Sequence, residues 1–259
     1  MLTFEKFFKL VQDKTPFCFV RFSDGEIEIL RNRSLRIDAG ETYFRGKKFP
    51  NKFESHDHKE FCPNKHQNLR KDLFKAAIYS REGYFKGCPG KHNMMSEDLD
   101  LMARLNGSFS DNLTFSDLLV NENFYKTKTM LLNIGNFCYS EVVVVGNFRC
   151  EKSDFAKNST FLPIPDHVFS NYIGIKQQLM QKILNLPKGA LVLSSASSLS
   201  NVIGQQLWEH RQDVTFIDIG SAINNLLGLN FARAYAEKKS LKELFSIKRA
   251  LLTKKMSFE

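Results

Sequence analysis

The densest chemistry in the chain lies in Arg21-Phe22-Ser23-Asp24-Gly25-Glu26. Asp24 and Glu26 bracket a glycine directly after an apolar run, Phe17 to Phe22, that reads as a buried strand. Carboxylate oxygens at a strand end suit Mg²⁺ or Mn²⁺, and such an ion can bridge a diphosphate. Arg21 adds a fork of donors for a bidentate phosphate contact. The same residues also suit a plain helix start. Ser23 or Asp24 would cap it, and Glu26 would sit in the first turn, where the helix dipole favours an acid.

Three more segments place small or polar residues after apolar runs. Ser194-Ser195-Ala196-Ser197-Ser198 follows GALVL and precedes a helical pattern. Small residues there let backbone N–H groups approach a phosphate at a helix N-terminus; a simple capped turn has the same composition. Gly146-Asn147-Phe148-Arg149 follows four valines, and Gly146 would allow close ligand approach while Arg149 or Lys152 meets phosphate. Asp218-Ile219-Gly220-Ser221 ends VTFIDIG; its Asp could accept from a ribose or sugar hydroxyl, or hold loop backbone. No GxGxxG, GxxxxGK[ST] or GxSxG pattern occurs.

His56, His58, Cys62 and His66 fall within one short stretch, but their spacing is irregular and no CxxC pair accompanies them. A polar loop accounts for them better than zinc. His92 and His167 stand alone.

These residues need elements to hold them. Residues 3–12 carry apolar positions at helical spacing. PFCFVRF, GYFKGC, EVVVVGN, STFLPIP, GALVLSS and VTFIDIG read as strands. Helical patterns cover SDGEIEIL, about 67–80, SEDLDLMARLN, much of 114–137, DHVFSNYIGIKQQLMQKILN and SLSNVIGQQLWEH. Residues 38–66 read as a long irregular excursion, and such excursions are commonly functional. Alternating strands and helices predict an α/β fold: a Rossmann-like, doubly wound, mostly parallel sheet flanked by helices. Ligands then sit beyond the carboxyl ends of the strands, where all four segments fall.

The 259 residues form one expected domain, with a core at about 15–225 and a basic amphipathic helix at about 236–255. Apolar residues make up 42% of the chain, which excludes a disordered tail. No apolar run reaches the length of a membrane span, and the N-terminal segment lacks a signal-peptide core; a cytoplasmic protein is expected. The five scattered cysteines read as reduced thiols. A net charge of +9 suits polyanionic partners, and the terminal basic helix suits peripheral membrane contact or a solvated face.

RFSDGEIEIL resembles the RFGDGE-type segment of the GT-D-type glycosyltransferases. The resemblance continues in order over about 15–225, through GYFKGCPG, TFSDLLVNENFY, VVVVGN, IPDHVFSNYIGIKQQL and LVLSSASSLSNVIGQQLWEHRQDVTFIDIG. Where the family has Gly-Pro-Thr-Ala, this chain has Ser195-Ala196-Ser197-Ser198; where it has His after Asp-Ile-Gly, this chain has Ser221. The resemblance implies that Asp24 and Glu26 are the family's metal-binding Asp-x-Glu pair. It also implies a Mn²⁺- or Mg²⁺-dependent transferase that moves a sugar from a nucleotide-sugar donor, UDP-sugar first, to a glycan or lipid-linked acceptor. Arg21, Ser23, Gly146, Asn147, Arg149, Ser195, Ala196, Ser197, Ser198 and Asp218 are the expected donor contacts. Two other classes compete. A Rossmann-like methyltransferase or related nucleotide-cofactor enzyme lacks its Gly-rich loop here. A nucleic-acid or anionic-surface binder would rest on charge alone, without an RNP-like aromatic pattern.

Overall fold

The computed structural model describes residues 1–50, 53–89, 96–107 and 110–229. In chain order the elements are α1 (Phe4–Gln12), β1 (Cys18–Arg21), α2 (Asp24–Leu30), β2 (Leu35–Ile37), β3 (Glu41–Phe44), β4 (Lys47–Pro50), β5 (Lys59–Phe61) and α3 (Gln67–Ile78). Then follow β6 (Tyr84–Cys88), α4 (Ser96–Leu105), β7 (Leu113–Phe115), α5 (Phe124–Leu132), β8 (Val142–Asn147), α6 (Asp154–Lys157) and β9 (Thr160–Ile164). The last are α7 (Tyr172–Leu184), β10 (Leu191–Ser194), α8 (Ser198–His210) and β11 (Thr215–Asp218). The expected basic helix at 236–255 lies outside the described residues.

Seven strands form one parallel sheet in the order β7-β6-β1-β11-β10-β8-β9. Its strands are rich in apolar residues because both faces are covered. In β1, Cys18 and Val20 face a core shared with α3, α7 and α8, while Phe19 faces a second core with Phe7 and Val11 of α1 and Met130 of α5. The valines of β8 divide the same way: Val143 and Val145 to the first core, Val144 to the second. This is the doubly wound α/β architecture expected from the alternation of elements.

Helix α8 lies closest to the sheet. A Cβ at Gly204 would fall 2.7 Å from Val20 Cγ1 and 2.8 Å from the Phe216 ring. The absence of that atom lets the helix rest on β1 and β11, which brings its N-terminus beside the end of β1. Asn201 Nδ2 then donates to the Arg21 carbonyl at 2.7 Å.

The excursion at 38–66 is more ordered than its sequence suggests. Strands β2 to β5 make an antiparallel sheet in the order β4-β3-β2-β5. Its strands are short, and every residue of β4 is exposed, so the alternation that announces a half-buried strand is absent. Ion pairs anchor this sheet. Arg45, just past β3, reaches Asp98 of α4 at 2.6 Å and Glu28 of α2 at 4.0 Å, and Arg31 also pairs with Asp98. Two further differences are local. Residues 113–115 join the parallel sheet as β7, so the helical pattern read over 114–137 is realised only in α5 and short 3₁₀ turns. The helix read from Asp166 starts at Tyr172 instead, after His167 at φ +50 interrupts the run. Among the described residues no helix is long and apolar enough to cross a membrane.

Candidate active site

A cleft of about 840 Å³ opens where the carboxyl ends of the parallel strands face the antiparallel sheet. Each of the seven parallel strands contributes a residue at or just past its end: Ser23 after β1, Pro89 after β6, Ser116 after β7, Asn147 of β8, Pro165 after β9, Ser195 after β10 and Asp218 of β11. The opposite wall comes from β2 to β5 and their connections, including Ile37, Phe44, Phe49, Phe53 and His58. A volume of this size holds a small-molecule ligand with several ring systems.

The floor of the cleft is one hydrogen-bonded unit. At the head of α2, Glu26 Oε2 accepts from the Ser23 N–H at 3.1 Å, which satisfies a helix-start donor. Its other oxygen accepts from Ser198 Oγ at 2.6 Å, in the first turn of α8. Glu26 is buried, and both its oxygens have protein donors, so it joins the heads of α2 and α8. Asp24 differs. It is exposed at the first helical position and, among the described residues, accepts only the neighbouring Gly25 N–H, at 3.0 Å. The helix-start and chemical readings of the motif are therefore divided between two residues: Glu26 secures the turn, and Asp24 presents an oxygen to the cleft.

Arg21 is held from behind. Asp218, buried at the end of β11, accepts the Arg21 backbone N–H at 3.2 Å and its Nη2 at 3.3 Å. Burial pushes the Asp218 carboxyl up, and the Arg21 guanidinium opposes that shift. Gly220 completes the seat. At φ +49 it occupies the left-handed region, and a Cβ there would fall 1.6 Å from Arg21 Nη2. Asp218 thus orients the arginine, and it also lines the cleft.

The remaining expected contacts separate clearly. Ser195, Ala196 and Ser197 line the cleft at the start of α8, as the small-residue loop suggested. Ser198 lies beneath them and serves Glu26. Asn147 lines the cleft, but its Nδ2 donates to Asp166 at 2.7 Å and its Oδ1 accepts the Arg149 N–H at 3.2 Å. Arg149 forks onto Asp166, with Nη2 at 2.7 Å from Oδ2, and does not line the cleft. That pairing draws the Asp166 carboxyl below the usual range. Gly146 also turns away: a Cβ there would meet Leu227 and Phe161 at 3.5 Å, ordinary packing rather than ligand approach.

Sequence reasoning missed the residues from the excursion. His56, Asp57, His58 and Lys59 all line the cleft. His56 and His58 belong to the stretch that the sequence assigns to a polar loop rather than to zinc. Here Cys62 N–H donates to His66 Nδ1 at 2.9 Å, and His58 stacks obliquely near His167 with ring centroids 6.0 Å apart. No group of three or more His, Cys, Asp or Glu side chains gathers as a metal site among the described residues. Of the two motif carboxylates, Asp24 is the exposed one, and it could hold a divalent ion together with water and ligand oxygens.

No family model and no curated protein sequence matches the chain. Solved structures do. A selenomethionine-substituted structure of domain of unknown function 1792 superposes with a TM-score of 0.54 at 12% identity, covering 89% of this chain and 82% of that one. A second, described as showing that this highly conserved domain has a distinct glycosyltransferase fold, gives 0.53 at 13% identity over the same shares of the two chains. A third, described as a new glycosyltransferase of the same domain type from Streptococcus sanguinis, gives 0.52 at 14% identity, covering 89% and 85%. The chain has the fold of these domains.

Proposed function

We propose that this protein is a glycosyltransferase that takes a sugar from a nucleoside-diphosphate donor, with UDP-sugar the donor class, and passes it to a glycan or lipid-linked acceptor. The observation that carries the reading is the constellation at the end of β1. An arginine locked by a buried aspartate, an open carboxylate on a helix head and a small-residue loop at a second helix head converge on one cleft. The solved glycosyltransferases of the same fold support it.

Each residue has a distinct part. Arg21 is a fixed positive group beside the departing diphosphate, and its rigidity means little reorganisation as charge develops. The loop Ser195 to Ser197 brings the positive end of the α8 dipole and the Ser195 and Ser197 hydroxyls to the same place, while the Ser195 and Ala196 N–H groups donate to the Val145 carbonyl and to Ser200 Oγ. Asp24 is the ligand for a divalent ion, which when bound supplies charge neutralisation to the leaving group. Glu26 and Ser198 keep the two helix heads in register. The wall built from β2 to β5 carries Phe44, Phe49 and Phe53, apolar surface on which a sugar face or a lipid-linked acceptor can pack.

Calorimetric titration of UDP and UDP-sugars, with and without Mn²⁺, tests the reading on wild type and Asp24→Ala. The expected result is metal-enhanced binding by the wild type, with the metal enhancement lost in the variant and folding unchanged, because Asp24 is exposed. Binding by another nucleoside diphosphate in place of UDP would change the donor only. Folded wild type that binds no nucleotide under either condition would end the transferase reading.

A further inference from the structure

We propose that Lys59, supplied by the antiparallel sheet, contacts the anionic diphosphate of the donor and is a specificity-determining residue of this cleft. The inference rests on the transferase reading above and adds a residue outside the motif segments.

Lys59 opens β5, where it pairs with Ile37 of β2. Its side chain leaves that sheet and crosses the cleft. The ammonium donates to Ser197 Oγ at 2.9 Å and lies 3.7 Å from the position a Gly25 Cβ would take. It therefore stands between the small-residue loop ahead of α8 and the first turn of α2, the two helix heads that border the cleft. A Cβ at position 25 would meet it in ordinary van der Waals contact.

The charge on Lys59 is poorly answered by the protein. The residue is half-buried, and an ammonium has three donors. Among the described residues one neutral hydroxyl is its only hydrogen-bond partner, and no carboxylate lies within ion-pairing distance. Other cations near the cleft are already matched: Arg21 by Asp218 and Arg149 by Asp166. A partly desolvated positive charge with two unspent donors costs free energy unless an anion meets it. A diphosphate lying along the ends of α2 and α8 brings anionic oxygens to that point. The same contact would make the antiparallel sheet responsive to the donor, since Lys59 is bound to both.

The competing explanation is a tether: Lys59 fastens the sheet to α8 through Ser197 and touches no ligand. Full-length wild type, Lys59→Met and Lys59→Arg separate the two. Met keeps the apolar stem and removes the charge; Arg keeps the charge. The probes are UDP and uridine, each measured by displacement of a fluorescent UDP analogue, with thermal unfolding alongside. The expected result is UDP binding weakened by about tenfold or more in Lys59→Met, the size of one lost charge-assisted contact, and largely restored in Lys59→Arg. Uridine binding and the unfolding midpoint should stay at the wild-type values. If Lys59→Met binds UDP like the wild type, or loses UDP and uridine equally with a lowered midpoint, the contact is refuted while the transferase reading stands. Wild type that binds neither probe would overturn both.

Discussion

Gly220→Ala is a small change with a large expected effect. A methyl carbon at that position would sit 1.6 Å from Arg21 Nη2 and 2.5 Å from its Cζ, whereas unstrained heavy-atom contacts lie at about 3.5–4 Å. The guanidinium must therefore move by about 2 Å, which takes it out of reach of Asp218. Removing one partner of a buried ion pair costs roughly 3–5 kcal/mol. Part of that is retained here, because the Arg21 backbone N–H still donates to Asp218 at 3.2 Å. Holding alanine at φ +49 adds roughly 1–2 kcal/mol. The net loss should be about 3 kcal/mol or more, a large share of a typical domain stability of about 5–15 kcal/mol. Urea unfolding of wild type, Gly220→Ala, Arg21→Ala and the double variant reads it directly. With the arginine side chain gone the clash disappears, so Gly220→Ala in the Arg21→Ala background should cost only the backbone term, roughly 1–2 kcal/mol. The reasoning fails if Gly220→Ala lies within about 0.5 kcal/mol of wild type, or if its cost is the same in both backgrounds.

Three further outcomes follow from the same geometry. Ser198→Ala removes the donor to buried Glu26 Oε1 and should destabilise the fold by about 1–3 kcal/mol in urea unfolding, as an unsatisfied buried acceptor does. Arg149→Ala should leave nucleotide affinity at the wild-type value by calorimetry, because its guanidinium is spent on Asp166 away from the cleft; a loss of affinity would return it to the site. Glu28 is fully buried beside Arg33, Arg45 and Arg31, and burial raises its carboxyl above the ordinary 4.5 despite them. A raised acid binds its proton more tightly in the folded state, so its ionisation subtracts stability as pH rises through the interval above 4.5. Glu28→Gln should therefore lose stability relative to wild type as pH falls toward that value and compare more favourably near neutrality; a pH-independent difference in urea midpoints would contradict the assignment.

Much of the frame was legible from local pattern. Four consecutive valines announce a buried strand of a covered parallel sheet, and Val142–Asn147 is one, paired on both sides. Ser23 to Glu26 suit both a helix head and a metal motif; the structure gives the first role to Glu26 and leaves the open carboxylate to Asp24. The loop Ser195 to Ser197 was placed at the cleft because strand ends in such sheets face the ligand.

What the chain alone could determine were features written within one or two turns of sequence: strand runs, helix heads and the order of the sheet-forming units. The antiparallel sheet escaped because its strands are three or four residues long and partly solvated, so they carry little apolar alternation. Other features depend on residues far apart in sequence. Arg21 and Asp218 are separated by 197 positions, and Lys59 and Ser197 by 138. Only the packed sheet decided which charges were matched. It turned Arg149 to Asp166, gave Arg21 to Asp218, and left Lys59 facing the cleft with a hydroxyl. Electrostatic pairing acts through space, and spacing along the chain carries no record of it.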